Sequence, residues 1–231
     1  MSLAGTGVVA IWHDLLPEAR DEFYEWHNRE HMPERAAIPG FLRGRRYIAL
    51  DAGPTYFNLY EADTVQVLGG QDYLSRLNAP TEWTQQSVKS YRNVARSICQ
   101  VAYTNGVGQG AYLLTVRFDV VEGQHEWVSD ALRQHVLALI ADQQGITGVH
   151  LCVADEAVSK VETAEKKARA EGTKIPTWIV MIEGCAPDYV RTAGELFMPE
   201  LQRLLEGELI APETTLYQLE YTRCKTPGST G

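Results

Sequence analysis

Two histidines and two glutamates fall within eight residues of one predicted helix: His27, Glu30, His31 and Glu34, in the stretch EWHNREHMPERAAIPGF (residues 25–41). At about 100° per residue, Phe23, His27, Glu30, His31 and Glu34 share an arc of about 100°. The helix face is apolar at Phe23 and turns ionisable towards its end. A proline then ends the helix, and a Pro-Gly turn leads into a strand carrying Arg43, Arg45 and Arg46. Three kinds of chemistry fit this face. The imidazoles could be buried and hydrogen-bonded near a helix C-terminus, as structure alone. His27 or His31 could be a general acid or base, because imidazole titrates near neutral pH. Or His27, His31 and a glutamate could chelate a metal, as histidines at i and i+4 do. Against the last, Asn28 follows His27 where H-E-x-x-H requires Glu, and the second half offers no clear third ligand. No metal is therefore assigned.

The elements that must hold this face are set by an internal repeat. PTYFNLYEA at Pro54 reappears as PTWIVMIEG at Pro176, an offset of 122 residues. Gln100 and Tyr103 in CQVAYTN match Gln218 and Tyr221 in YQLEYTR at an offset of 118. Gly5, Asp14 and Gly40 match Gly110, Asp119 and Gly145 at an offset of 105. The offset thus grows by 17 within VSKVETAEKKARAEGTK, a charged, alanine-rich segment near residues 155–174 that is predicted to be helical. Such self-similarity signals a duplication. Each half reads strand, helix, strand, strand, helix, strand. GVVAIWHD is β-favouring. A helix over 18–36 has Pro17 at its entrance and Glu18, Asp21 and Glu22 in its first turns. LRGRRYIAL and TYFNLYEA are joined through Asp51-Ala52-Gly53-Pro54, a turn sequence. A helical region over about 64–92, broken near Asn78-Ala79-Pro80 with Thr81 as N-cap, precedes ARSICQVAYT. This order is the split βαββαβ unit of ferredoxin-like folds. We therefore expect repeats at 1–106 and 107–226 and a short tail at 227–231.

The repeat sharpens the chemical signal. His27 aligns with Leu132 and His31 with Val136, on the apolar helix stripe of the second half. Tyr56, Asn58 and Tyr60 alternate onto one face of their strand. They align with Trp178, Val180 and Ile182. His13 aligns with Phe118, Arg45 and Arg46 with His150 and Leu151, and Arg96 with Thr214. Polar and ionisable groups therefore gather in one copy. Strand arginines and tyrosines are ordinarily surface or packing residues, and Trp12 and Trp83 read as packing anchors. The clustering is what singles this group out. An aromatic face with a few polar groups suits a small, flat ligand bearing a hydroxyl, carbonyl or carboxylate.

Composition narrows the rest. A chain of 231 residues with 45% hydrophobic and 22% charged residues is of globular type, and its net charge of −9 disfavours nucleic acid or an anionic membrane as partner. No apolar run approaches the roughly 20 residues that span a bilayer. The start, MSLAGTGVVAIW, lacks signal-peptide character. Cys99, Cys152, Cys185 and Cys224 form no C-x-x-C pair and read as small core residues of a reducing, cytoplasmic compartment. There is no G-x-G-x-x-G, P-loop or G-x-S-x-G, so nicotinamide, flavin and ATP chemistry are disfavoured.

The string W-H-x-x-E-H-x-P-E-R followed by P-G-F-x-R-x-R-R-Y, from Trp26 to Tyr47, resembles the EthD-like branch of the dimeric α+β barrel superfamily, close to uncharacterised bacterial members. The resemblance is good over the first half and topological over the second. It implies an α+β fold in which two ferredoxin-like sheets pack face to face with helices outside and a cavity between the sheets. Here the tandem repeats would form an internal pseudo-dimer; further homodimerisation stays open. By the resemblance, His27, His31 and Pro33 lie beside the pocket. One histidine would move a proton on a phenolic or enolic substrate while an Arg or Tyr steadies the oxyanion. Haem has no assignable ligand, and no cofactor is implied. Two functions follow: a cofactor-independent lyase, isomerase, cyclase or oxygenase for a small aromatic or polyketide-like molecule, or a non-catalytic binding or assembly module.

Overall fold

The computed structural model describes residues 3–121 and 125–225, with the side chains of 125 and 126 outside the description; the expected tail at 227–231 also lies outside it. Strand β1 spans Gly7–Leu15 and leads through a turn of 3-10 helix at Pro17–Ala19 into α1 (Arg20–Trp26). A π-helical turn, His27–His31, joins α1 to α2 (Met32–Ala37). There follow β2 (Phe41–Ala49), β3 (Tyr56–Ala62), α3 (Val65–Gly69), α4 (Gln71–Asn78), α5 (Glu82–Ser87) and β4 (Tyr91–Gly106). The second half gives β5 (Tyr112–Val120), α6 (His125–His135), α7 (Leu137–Ala141), β6 (Ile146–Ala154), α8 (Glu156–Ser159), α9 (Ala164–Lys167), β7 (Trp178–Gly184), α10 (Pro187–Leu204) and β8 (Leu209–Cys224).

The strands close into one antiparallel barrel in the order β1-β3-β2-β8-β5-β7-β6-β4. Each half is a four-stranded ferredoxin-like sheet, and the seams β2·β8 and β4·β6 are related by the repeat. Arg45 pairs with Thr222 at one seam, and its counterpart His150 pairs with Thr104 at the other. The shared strings have structural reasons. Asp14 Oδ1 accepts the Thr55 N–H at 2.7 Å, and Asp119 Oδ1 accepts the Thr177 N–H at 2.8 Å. Glu61 and Glu183 both turn inward and accept backbone N–H groups from Ala4 and Gly110. Gly40 and Gly145 both hold positive φ, 81° and 75°, after the first helical region of their half, where only glycine is unstrained.

The barrel interior is filled, whereas the resemblance implies a cavity there. Trp12, Tyr47, Phe57 and Tyr217 are fully buried in one cluster with Cys99, Cys152 and Met181. Beside them Glu61 accepts from Arg43 Nε at 2.8 Å and Arg45 Nε at 2.9 Å, and Arg45 Nη1 reaches Glu183 at 2.9 Å. Two further cores lie between the sheets and their helices. The second-half core is aliphatic and aromatic throughout, with Leu132, Val136, Val180 and Phe197 at its centre. The first-half core contains Phe23, Trp26, Tyr56, Tyr60 and Tyr91, and it is into this layer that the polar groups are set.

Two sequence expectations change, on the insert and on the cysteines. The helix expected over 18–36 runs on through Pro33. The proline's missing N–H and its ring are accommodated by the π turn, in which the Met32 N–H bonds to the His27 carbonyl five residues back. The charged insert is not one helix but two single turns, capped by Asp155 and Thr163, because its backbone is tied elsewhere along the first half. Cys99 and Cys152 are buried, but Cys185 and Cys224 are exposed. Among the described residues no helix is long and apolar enough to cross a membrane.

Candidate functional site

Three imidazoles converge between α1, the π turn and the first sheet. His13, His27 and His31 are 0%, 1% and 6% exposed. The His27 and His31 rings stack with centroids 5.5 Å apart, and Trp26 lies 4.4 Å from His31. On the sheet below, β-alternation sends Tyr56, Asn58 and Tyr60 of β3 towards the helices, with His13 of β1 and Arg46 of β2 on the same side. Gly44, opposite Tyr60, lets the sheet approach the helix: a Cβ there would stand 2.6 Å from Met32 Sδ.

Hydrogen bonds fix the state of two rings. Arg46 Nη1 donates to His27 Nδ1 at 3.1 Å, so the neutral ring carries its proton on Nε2 and donates it to the Tyr60 oxygen at 3.2 Å. His13 Nδ1 donates to the Asp14 carbonyl at 3.2 Å, and its Nε2 accepts from Asn58 Nδ2 at 2.9 Å. His13 is also stacked on Tyr91, centroids 4.0 Å apart. His31 differs: its Nδ1 is buried without a hydrogen-bond partner among the described residues, as is Asn58 Oδ1. Burial holds all three rings neutral, lowering His13 to about 3 and His27 and His31 well below the usual imidazole range. The neighbouring imidazole and Arg46 add to the effect at His27, and Arg35 and Arg169 at His31. Burial likewise raises the Tyr60 phenol.

Most of the residues expected from sequence meet here. Arg46 is held by Glu220 at 3.1 Å and Asn28 at 2.7 Å, with Tyr24 donating to the same glutamate at 2.7 Å. Arg96 lies on the same side of the sheet but at its flank, donating to the Tyr73 hydroxyl at 3.2 Å. Arg45 faces the other way, into the barrel, where it belongs to the ionic cluster with Glu61 and Glu183. Glu30 ties α5 to the π turn by accepting from Thr81 and Thr84 at 2.5 and 3.2 Å. Open clefts of about 270 to 360 Å³ elsewhere on the surface are lined by none of the three histidines.

Sequence reading missed Tyr91, Glu220, Arg35, Glu165 and Arg169. The repeat held a signal for Glu220, since Ala102 occupies the matching place in the first half. For Arg169 and Glu165 the signal was the insert itself. Among the described residues no group of three His, Cys, Asp or Glu side chains is placed to hold a metal. Both His27 nitrogens are engaged, one by a guanidinium that would repel a cation.

No family model and no curated protein matches the chain by sequence. Solved structures do match by shape. An anthrone oxidase-like protein superimposes with a TM-score of 0.68 at 14% identity, covering 97% of this chain and 96% of that one. A candidate monooxygenase from Fusobacterium nucleatum subsp. nucleatum gives 0.62 at 7% identity, with 96% of each chain covered. A haem-binding protein from Thermus thermophilus gives 0.53 at 10% identity, covering 94% of this chain and 92% of that one. At such identities the likeness carries the fold and not the reaction.

Proposed function

With the dimeric α+β barrel fold as premise, we propose that this chain is a cofactor-independent enzyme acting on a small aromatic or polyketide-like molecule that binds between the first sheet and its helices. The supporting observation is the Nδ1 of His31, buried and without a hydrogen-bond partner among the described residues, at a position where the second half carries a valine. A buried polar atom without a partner is costly in a well-packed layer, and a site that keeps one is organised for a missing group. His31 is the better base of the helix pair, because the His27 lone pair is taken by Arg46.

In this reading His31 Nδ1 removes a proton from a phenolic O–H or from a C–H made acidic by an adjacent carbonyl. Negative charge develops on the substrate oxygen. Tyr60 then donates its own O–H to that oxygen, since its oxygen already accepts from His27. Arg46 keeps His27 in the tautomer that leaves the Tyr60 proton free. The W-H-x-x-E-H-x-P-E-R motif and the anthrone oxidase-like neighbour support the same substrate class. The test is deuterium exchange from solvent into anthrone and a panel of phenols and 1,3-diketones, followed by NMR. The wild type exchanges a panel member faster than buffer, and His31→Val slows it by about 10²-fold or more. Equal exchange by folded His31→Val and wild type would refute the role of His31.

The closure of the layer, with both His27 nitrogens bonded, favours a second reading as a non-catalytic binding module. Tight binding of a panel member, with Trp26 fluorescence as readout and no exchange, would select it.

A further inference from the structure

The charged insert belongs to the second half in sequence, yet it folds across the site of the first. The Lys174 N–H bonds to the Val94 carbonyl and the Arg96 N–H to the Lys174 carbonyl, both at 2.9 Å, extending β4 by a short bridge. The Ala164 N–H reaches Asn78 Oδ1 at 3.2 Å, the Asn93 N–H reaches Glu171 at 3.0 Å, and Glu165 pairs with Arg35 of α2. This path delivers one side chain that the first half lacks. The Arg169 side chain is 4% exposed, with Glu165 3.8 Å from Nη2 and Thr173 3.2 Å from Nη1. Its Nε is buried and has no hydrogen-bond partner among the described residues.

Arg169 and Arg96 line the same small cavity, of about 10 Å³, between α4, β4 and the insert. That is room for about one water-sized occupant. Arg96 has no carboxylate partner among the described residues; its side-chain partner is the Tyr73 hydroxyl. Lys166, on the same wall, is paired outward with Glu162 at 2.6 Å. Arg35 has Glu34 at 3.6 Å as well as Glu165, whereas Arg96 and Arg169 have between them only Glu165, already paired with Arg35, as a carboxylate on the cavity wall. Guanidinium groups buried without matching acceptors are costly, and an anion restores the balance. Arg169 also stands within electrostatic range of His13, His31 and Tyr91, none of which lines the cavity itself.

We infer that Arg96 and Arg169 form an anion subsite that takes an anionic oxygen, carboxylate or phenolate, of a small aromatic ligand, and that the insert is its specificity element. That this oxygen belongs to the molecule on which His31 acts rests on the reading given above; the subsite itself does not. Charge-assisted bonds to two buried guanidinium groups distinguish an anion from its neutral isostere by at least about tenfold.

The experiment titrates benzoate and benzamide into the full chain by calorimetry at constant ionic strength. The wild type binds benzoate at least about tenfold tighter than benzamide. Arg169→Gln and Arg96→Gln abolish that preference, Arg169→Lys recovers part of it, and Arg133→Gln on the exposed face of α6 leaves it intact. Circular dichroism confirms that each variant is folded, and the charge-retaining Arg169→Lys keeps the test valid if a glutamine variant is not. His31→Val keeps the benzoate preference while losing proton exchange, so failure of the catalytic reading and failure of the subsite show separately. Equal wild-type affinity for the two probes, or a preference that survives both glutamine substitutions, overturns the inference.

Discussion

Acidification should unfold this protein early, and the three site histidines supply the reason. Each is neutral when buried, His13 down to about 3 and His27 and His31 well below the usual range, so the folded chain takes up no proton on them in mild acid. In the unfolded chain each titrates near the ordinary imidazole value of about 6.5. The unfolded state binds more protons below that pH, so the stability contribution is complete above it and is lost as pH falls towards the folded values. Between about pH 7.5 and about pH 5.5 each imidazole costs about 1.3 kcal/mol, and three cost about 4 kcal/mol, against a total stability of about 5–15 kcal/mol. The decisive perturbation gives the first half the residues of the second, His27→Leu with His31→Val. Urea unfolding across that pH range, extrapolated to water, gives the free energies. The variant should lose about 2.5 kcal/mol less than the wild type over the interval, whatever its absolute stability. Parallel pH profiles for the two proteins would refute the argument, because they would mean that the rings are hydrated or already charged in the folded state.

Three further outcomes follow from the packing. Gly44→Ala places a Cβ 2.6 Å from Met32 Sδ and 3.1 Å from the Tyr60 ring, and should destabilise by about 1–3 kcal/mol in urea melts. Glu61→Gln leaves Arg43 and Arg45 short of a carboxylate in the barrel interior, and should cost about 3–5 kcal/mol, read as a lowered urea midpoint. Glu165→Gln loosens the pairing with Arg35 and Arg169 that holds the insert down. It should speed amide hydrogen exchange over residues 155–174 while strands β1 and β3 stay protected, measured by mass spectrometry.

The repeat made the two ferredoxin-like sheets legible, and the family resemblance implied their closure into a barrel. Asp14 and Asp119, Glu61 and Glu183, and Gly40 and Gly145 recur because each does the same backbone task in both halves, and such tasks leave matching letters. The site was legible in the opposite way, through the places where the halves disagree. His27 against Leu132, His13 against Phe118 and Asn58 against Val180 all fall in the helix-facing layer that the second half fills with hydrocarbon. Alternation along β2 could say that Arg45 and Arg46 point to opposite faces, but not which face held the imidazoles. The helix was expected to run through Pro33, but the π turn that absorbs the proline was invisible to a fixed period of about 100° per residue.

Sequence alone therefore determined the two ferredoxin-like repeats and the half in which the polar groups gather, since both follow from local periodicity and from comparing the chain with itself. Tertiary structure decided the rest. It turned Arg45 inward, gave His27 to Arg46 and Tyr60 while leaving His31 Nδ1 without a partner among the described residues, and brought Arg169 near histidines more than a hundred residues away in the chain. Those outcomes depend on which groups meet across the packed layer, and contact between distant segments is settled by burial and hydrogen-bond satisfaction rather than by any pattern along the backbone.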